Sequence, residues 1–257
     1  MSKITFLQCC FLMLCFGAGQ SAYADDGVDW GYQGKTGPKF WGSLSHDYIT
    51  CKTGQKQSPI ALERPTDWFS RDKVVLPPLQ FKYNAERLNV VNNGHTVQFN
   101  YQQGGRLHVG DDVFYLKQFH FHTPSEHSER GRKYDMEIHL VHQDWEGNIA
   151  VIGLLVLQGP RSQWLEMLLP YIPASKHKQH TVPRPFRADY LLPRYRDYYG
   201  YTGSLTTPPC SEGVSWFVMK YPIYASRNQI AFFTSTMGFN ARAIQPINGR
   251  EVQETEY

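Results

Sequence analysis

Apolar and polar residues alternate with a period of two over most of the chain between Leu79 and His142. LQFKY (79–83), NVVNNGHTVQFNY (89–101), GRLHVG (105–110) and DVFYLKQFHFH (112–122) all follow it. Alternation of this kind predicts half-buried strands. Asn93-Gly94 and Gly104-Gly105 supply turns or bulges between them. AVIGLLVLQG (150–159) is almost continuously apolar, which predicts a central strand covered on both faces. SWFVMKYPIYAS (215–226) reads as one further strand. Helical spacing is rarer. Ser162 to Tyr171 places Trp164, Leu165, Leu168 and Leu169 on one side, and Ser226 to Thr236 opens on an N-cap serine. Asp189 to Leu192 reads as a strand or a short helical turn. There is no repeat, no low-complexity tract and no linker, so the residues alone predict one β-rich domain with short helices.

The candidate chemistry lies on two of these strands. In QFHFH, Gln118, His120 and His122 share one face while Phe119 and Phe121 share the other. In EIHLVH, Glu137, His139 and Val141 share a face opposite Ile138 and Leu140. An H-x-H pair beside a third histidine can converge three imidazoles on one ion and leave a fourth position open, as catalytic zinc requires. An isolated H-x-H binds nothing more often than it binds metal, so the neighbours matter. Gln118 and Glu137 each stand two residues before a histidine on the same face, placed to accept its outer ring N–H. A carboxylate ligand would offset part of the ion's charge; three neutral imidazoles do not.

QFHFH, SEH (125–127), EIHLVH and GSLTTPP (203–209) together resemble the α-class carbonic anhydrases, from Trp30 to about Gln245. The resemblance implies an α+β, β-rich single domain. Its centre would be a large twisted mixed, mostly antiparallel sheet of about ten strands, with short peripheral helices. It implies Zn2+ as cofactor, held by His120, His122 and His139, and reversible hydration of carbon dioxide to bicarbonate by hydroxide formed on the metal. A side esterase activity would use the same hydroxide. Thr206 would donate to a buried Glu126 and accept from the group on the metal; Thr207 would hydrogen-bond substrate. Val141, Val151, Leu205 and Trp216 match the family's apolar wall. Asn240 would accept the outer N–H of His122 through its carbonyl. His95, in NNGH, matches the proton-shuttle position and has the pKa range for it. WGYQGKTGPKFW (30–41) looks like the family's N-terminal lobe, and Ser58, in QSPI, would join Tyr201 and Trp216 in a hydrogen-bond network. The Ser58-Pro59 and Pro208-Pro209 bonds are cis in the family. Thr123 departs from the pattern, because many members carry Trp after the H-x-H pair; this bears on the shape of the pocket rim. The remaining histidines lack metal spacing, and His127 reads as a structural, hydrogen-bonded residue.

The N-terminus changes the compartment. Lys3, an apolar run from Ile4 to Gly19 and Ala22-Tyr23-Ala24 read as an export signal cleaved after Ala24, leaving 25–257 as the carbonic anhydrase domain. Cys9, Cys10 and Cys15 leave with it. Cys51 and Cys210 remain, and a pair in an exported chain predicts one disulfide rather than two free thiols. The expected location is periplasmic, or otherwise secreted. Among 257 residues the net charge is only +3 with no basic run, so no nucleic acid partner is expected, nor a stable membrane anchor. The family resemblance adds carbon dioxide and bicarbonate as small-molecule partners, sulfonamide and anion inhibitors, and room for a homodimer. Two rivals stay open on the residues. A binding module on this fold would lack one or more of the metal histidines; a hydrolase of larger substrates would need a further general base.

Overall fold

Strands pair edge to edge, and here most of them join one sheet whose two faces carry the buried apolar clusters. The computed structural model describes residues 28–63, 76–102 and 104–255; the expected export signal lies outside them. Twelve strands form the sheet, where about ten were expected. Its path runs from Lys178–Thr181 through Asn89–Asn92, Val97–Asn100, Asp112–His122, Met136–Gln143 and Ile149–Gln158. It continues through Glu212–Met219 and Tyr198–Ser204 to Gln253–Glu254. Leu79–Lys82 and Arg106–Val109 extend Asp112–His122, and Ile223–Ala225 pairs Ile149–Gln158. Neighbours are antiparallel except where Ile149–Gln158 meets Glu212–Met219 and Ile223–Ala225. The predicted strand over 215–226 is thus two strands. Pro222 has no N–H to give a ladder and falls between them.

The apolar run at 149–158 behaves as its composition demands. Ile152, Leu154 and Val156 enter one buried cluster with Phe119, Phe121 and Ile138. Val151 and Leu155 enter the other, with Trp216, Val218 and Tyr201. Each large apolar side chain moved out of water contributes about 1.5–3 kcal/mol, so this strand anchors both faces. Gly153 belongs there for space: a Cβ would lie 3.1 Å from Glu137 Oε1 and 3.2 Å from Val218.

Helices are short and peripheral. The predicted helix from Ser162 is α-helical over Gln163–Leu168 and tightens to a 3-10 turn at Leu169–Tyr171, where Pro170 cannot donate. Ala188–Leu191 is a 3-10 turn. Arg227–Met237 starts on a Ser226 capping box with Gln229. The Ser58-Pro59 and Pro208-Pro209 bonds are cis, as is Thr123-Pro124, which the sequence reading did not include. Cys51 and Cys210 are bonded across 159 positions.

Candidate metal centre

Asp112–His122 and Met136–Gln143 pair antiparallel, and the register places His120 opposite His139 and His122 opposite Glu137. Because side chains alternate, the three histidines emerge on one face. Their ring centroids are 4.9, 5.2 and 4.5 Å apart. One nitrogen from each lies within 4.8 Å of the others. The opposite nitrogens are committed. His120 Nδ1 donates to Gln118 Oε1 at 2.8 Å, His122 Nδ1 to Asn240 O at 2.8 Å, and His139 Nε2 to Glu137 Oε1 at 2.9 Å. This leaves Nε2, Nε2 and Nδ1 facing one another. His122 Nε2 is buried without a hydrogen-bond partner. A buried orphan nitrogen is costly, and here it faces two other inward nitrogens, so the donor set fits a shared cation. Burial pushes the His122 pKa down to about 4 and lowers those of His120 and His139. All three are therefore neutral imidazoles, the form that ligates metal.

Glu137 holds the centre from behind. Burial alone would raise its pKa, but His127 and His139 outweigh burial and hold it well below the carboxylate range. Its Oε1 also accepts from His127 Nδ1 at 2.7 Å, and its Oε2 from the Glu126 and His127 N–H groups at 2.8 Å each. His127, Glu137 and His139 also lie close enough to suggest a metal cluster; these hydrogen bonds account for their proximity. From His127 the network runs outward: Tyr201 OH donates to His127 Nε2 at 2.7 Å, and Ser58 Oγ lies 2.9 Å from Tyr201 OH. Trp216 joins the network through Ser204. Its Nε1 donates to Ser204 O, and Ser204 N donates to Ser58 Oγ. A Cβ on Gly203 would stand 2.1 Å from Ser58 Oγ, so only glycine lets this network close.

Glu126 is fully buried. Its Oε1 accepts from Arg242 N at 2.8 Å. Its Oε2 is 3.5 Å from His122 Nε2 and 3.9 Å from His139 Nδ1, and has no partner of full hydrogen-bond geometry among the described residues. Burial raises the Glu126 pKa; His139, the Thr206 hydroxyl and Arg242 N–H hold part of that rise back. The Thr206 contact falls short of full hydrogen-bond geometry but marks the two side chains as neighbours. Val151 and Trp216 share a buried cluster, with the partly buried Val141 and Leu205 packed against it. Trp216 meets the His139 ring edge-on at 4.8 Å. Thr207 is half-buried on the same loop as Thr206. His95 stacks on Trp30 at 3.7 Å, with ring planes 5° apart, so the N-terminal lobe reaches the NNGH turn.

Two residues at the site, Arg242 and Thr96, escaped the sequence reading, as did the contact that Thr123 makes. Arg242 donates to Gln57 Oε1, Ser58 O and Cys51 O, tying the disulfide to the Glu126 loop. Thr96 Oγ1 donates to Phe121 O at 2.6 Å. Thr123 Oγ1 donates to Gly238 O at 2.8 Å, so the departure at Thr123 is a tie to the C-terminal segment. None carries a spacing signal, although Thr96 follows NNGH and Thr123 follows QFHFH.

The pattern defining eukaryotic-type carbonic anhydrases matches residues 36–256. A carbonic anhydrase of Pectobacterium carotovorum is 40% identical over 240 residues, covering 93% of this chain and 94% of its own. One from Nostoc is 42% identical over 232 residues, covering 88% and 86%. The solved α-carbonic anhydrase of Thermovibrio ammonificans, in complex with the inhibitor sulfanilamide, superposes with a TM-score of 0.82 at 44% identity, covering 88% of this chain and 99% of that one. With a site of this geometry on a sheet of this topology, the chain belongs to the eukaryotic-type (α-class) carbonic anhydrases, a family of enzymes whose activity is the hydration of carbon dioxide.

Proposed function

We propose that the chain interconverts carbon dioxide and bicarbonate at a zinc ion held by His120 Nε2, His122 Nε2 and His139 Nδ1. The observation that carries this reading is the division of each imidazole into one committed and one inward, uncommitted nitrogen. A zinc ion there would supply what is already known of carbonic anhydrase: water that ionises near neutral pH. The chain does the rest. Glu126 stays an acceptor toward the Thr206 hydroxyl, so the Thr206 oxygen is free to accept a hydrogen bond from the incoming nucleophile and orient it. Thr207 hydrogen-bonds the bicarbonate product. Val141, Val151, Leu205 and Trp216 give carbon dioxide, which has no dipole, an apolar resting place. Hydration of one carbon dioxide by one water yields bicarbonate and one proton, and His95 carries that proton toward buffer. The His122 carbonyl partner, the Gln118 amide and Glu137 keep the ligand tautomers fixed.

Aromatic sulfonamides should inhibit, in line with the sulfanilamide complex of the Thermovibrio relative. We also propose that residues 1–24 are removed on export to a periplasmic or secreted location. The Cys51–Cys210 bond supports an oxidising compartment, and no described helix is long and apolar enough to cross a membrane. Stopped-flow hydration of carbon dioxide, with and without a zinc chelator and a sulfonamide, tests the function. Activity that survives complete zinc removal would rule it out. N-terminal sequencing of the exported protein tests the cleavage after Ala24.

A further inference from the structure

Asn240 lies in a segment without regular secondary structure, yet it is fully buried and every polar atom it has is used. Its N–H donates to Thr123 O at 3.0 Å, and its carbonyl accepts from His122 Nδ1 at 2.8 Å. Those backbone contacts serve the metal ligand. The carboxamide does something separate. Its Oδ1 accepts from Thr123 N at 2.8 Å; its Nδ2 donates to Phe121 O at 2.9 Å and to His95 O at 3.0 Å. One planar group therefore bridges the strand carrying His120 and His122 to the backbone of His95. Within the turn, Asn93 Oδ1 accepts from His95 N and Thr96 N. These local bonds set its shape; its distance from the ligand strand is set by bonds that cross between them, from Thr96 Oγ1 to Phe121 O and N and, at the His95 carbonyl itself, from the Asn240 carboxamide. Proton transfer depends steeply on that distance.

We infer that the Asn240 carboxamide is a positioning residue for proton export: it fixes the His95 turn against the ligand strand. The inference rests on the shuttle role proposed for His95. Asn240→Asp keeps the size and the Oδ1 acceptor while removing the amide donor. In zinc-loaded protein, Asn240→Asp should lower kcat in weak buffer by up to roughly tenfold. Imidazole should restore most of it, and kcat/KM should fall far less. In metal-free protein, the His95 and Thr96 amides should exchange hydrogen faster, with the Phe119 and Leu140 amides unmoved. His95→Ala, measured alongside, separates the two claims. If its kcat does not respond to buffer, the shuttle reading fails and takes this inference with it. If His95→Ala responds but Asn240→Asp leaves both kcat in weak buffer and amide exchange as in the wild type, the inference alone is overturned. Equal losses in kcat and kcat/KM with exchange accelerated throughout the sheet would show a merely structural role and also overturn it. Should Asn240→Asp not fold, Asn240→Ser, short and uncharged, takes its place; failure of that variant to fold counts as the structural outcome.

Discussion

His139 and His142 stand three positions apart on one strand and so face opposite sides of the sheet. Both are buried, and burial lowers the pKa of both, that of His142 to about 3. Their surroundings differ in one respect. His142 lies with both ring nitrogens satisfied, Nε2 2.7 Å from the Tyr83 hydroxyl and Nδ1 3.3 Å from Ala150 O. His139 spends Nε2 on Glu137 and turns Nδ1 toward His120 and His122. Burial and neutrality thus do not mark a metal ligand. What marks it is a nitrogen left uncommitted in company with others.

The largest expected effect follows directly. His139→Ala should lose bound zinc and hydration activity together, whereas His142→Gln should keep zinc at one per chain. Metal analysis alongside stopped-flow assays checks both, and zinc lost from His142→Gln but kept by His139→Ala would reverse the comparison. Next in size is Glu137→Gln, which leaves the ligands intact and weakens the acceptor that fixes the His139 tautomer. Its zinc affinity should fall by about 10–100-fold, measured by competition with a chelator. Affinity unchanged within twofold would mean that the carboxylate serves the His127–Tyr201 network alone.

The same comparison shows what could be read from the chain and what could not. His120, His122, Gln118 and Glu137 were legible because strand periodicity fixes which side chains share a face, and a two-residue step on one face is also a contact. Val151 and Trp216 were placed in one wall by family likeness alone; the parallel register pairs them directly. Short edge strands such as Gln253–Glu254 were not legible, since two residues carry no alternation to count. Nor was the break at Pro222 drawn, because apolar residues continue on both sides of it. Arg242 and the Asn240 carboxamide act from irregular backbone more than 110 positions from their partners. No local pattern encodes such a contact; it exists only once the sheet has brought the segments together.

On the far side of the strand the effects should be on stability and leave zinc alone. Tyr83→Phe strips the Nε2 partner from His142 inside the core. A buried polar atom left unpaired costs about 1–3 kcal/mol, so urea unfolding should show a loss of that size while zinc content and kcat/KM stay at wild-type values. A loss of metal would mean that the two faces of the strand are coupled through the backbone and the division drawn between them is false.

The smallest and most specific effect is a slope in pH. The pKa of His142 is about 3 in the folded chain, against about 6.5 for an exposed histidine. Between those values the unfolded chain binds a proton that the folded chain refuses, so stability falls as pH falls, by at most about 1.4 kcal/mol per pH unit from this residue. Above pH 6.5 both states are neutral and the term vanishes. Desolvation is its main source; the Ala150 and Leu140 carbonyls, which favour the protonated form, oppose it only in part. His142→Gln cannot take up that proton. At pH 7 the variant should be less stable than the wild type, because glutamine fills the site less well. On acidification toward pH 4 the gap should close, since only the wild type pays the protonation penalty at this position. Metal-free protein is the right material, with the three ligand histidines present in both chains so that their own titration cancels in the difference. Urea unfolding at pH 7, 6, 5 and 4 reads the gap directly. Parallel curves would mean that His142 opens to solvent or gains a proton without unfolding, and the buried, doubly satisfied histidine would no longer serve as the counterpart of His139.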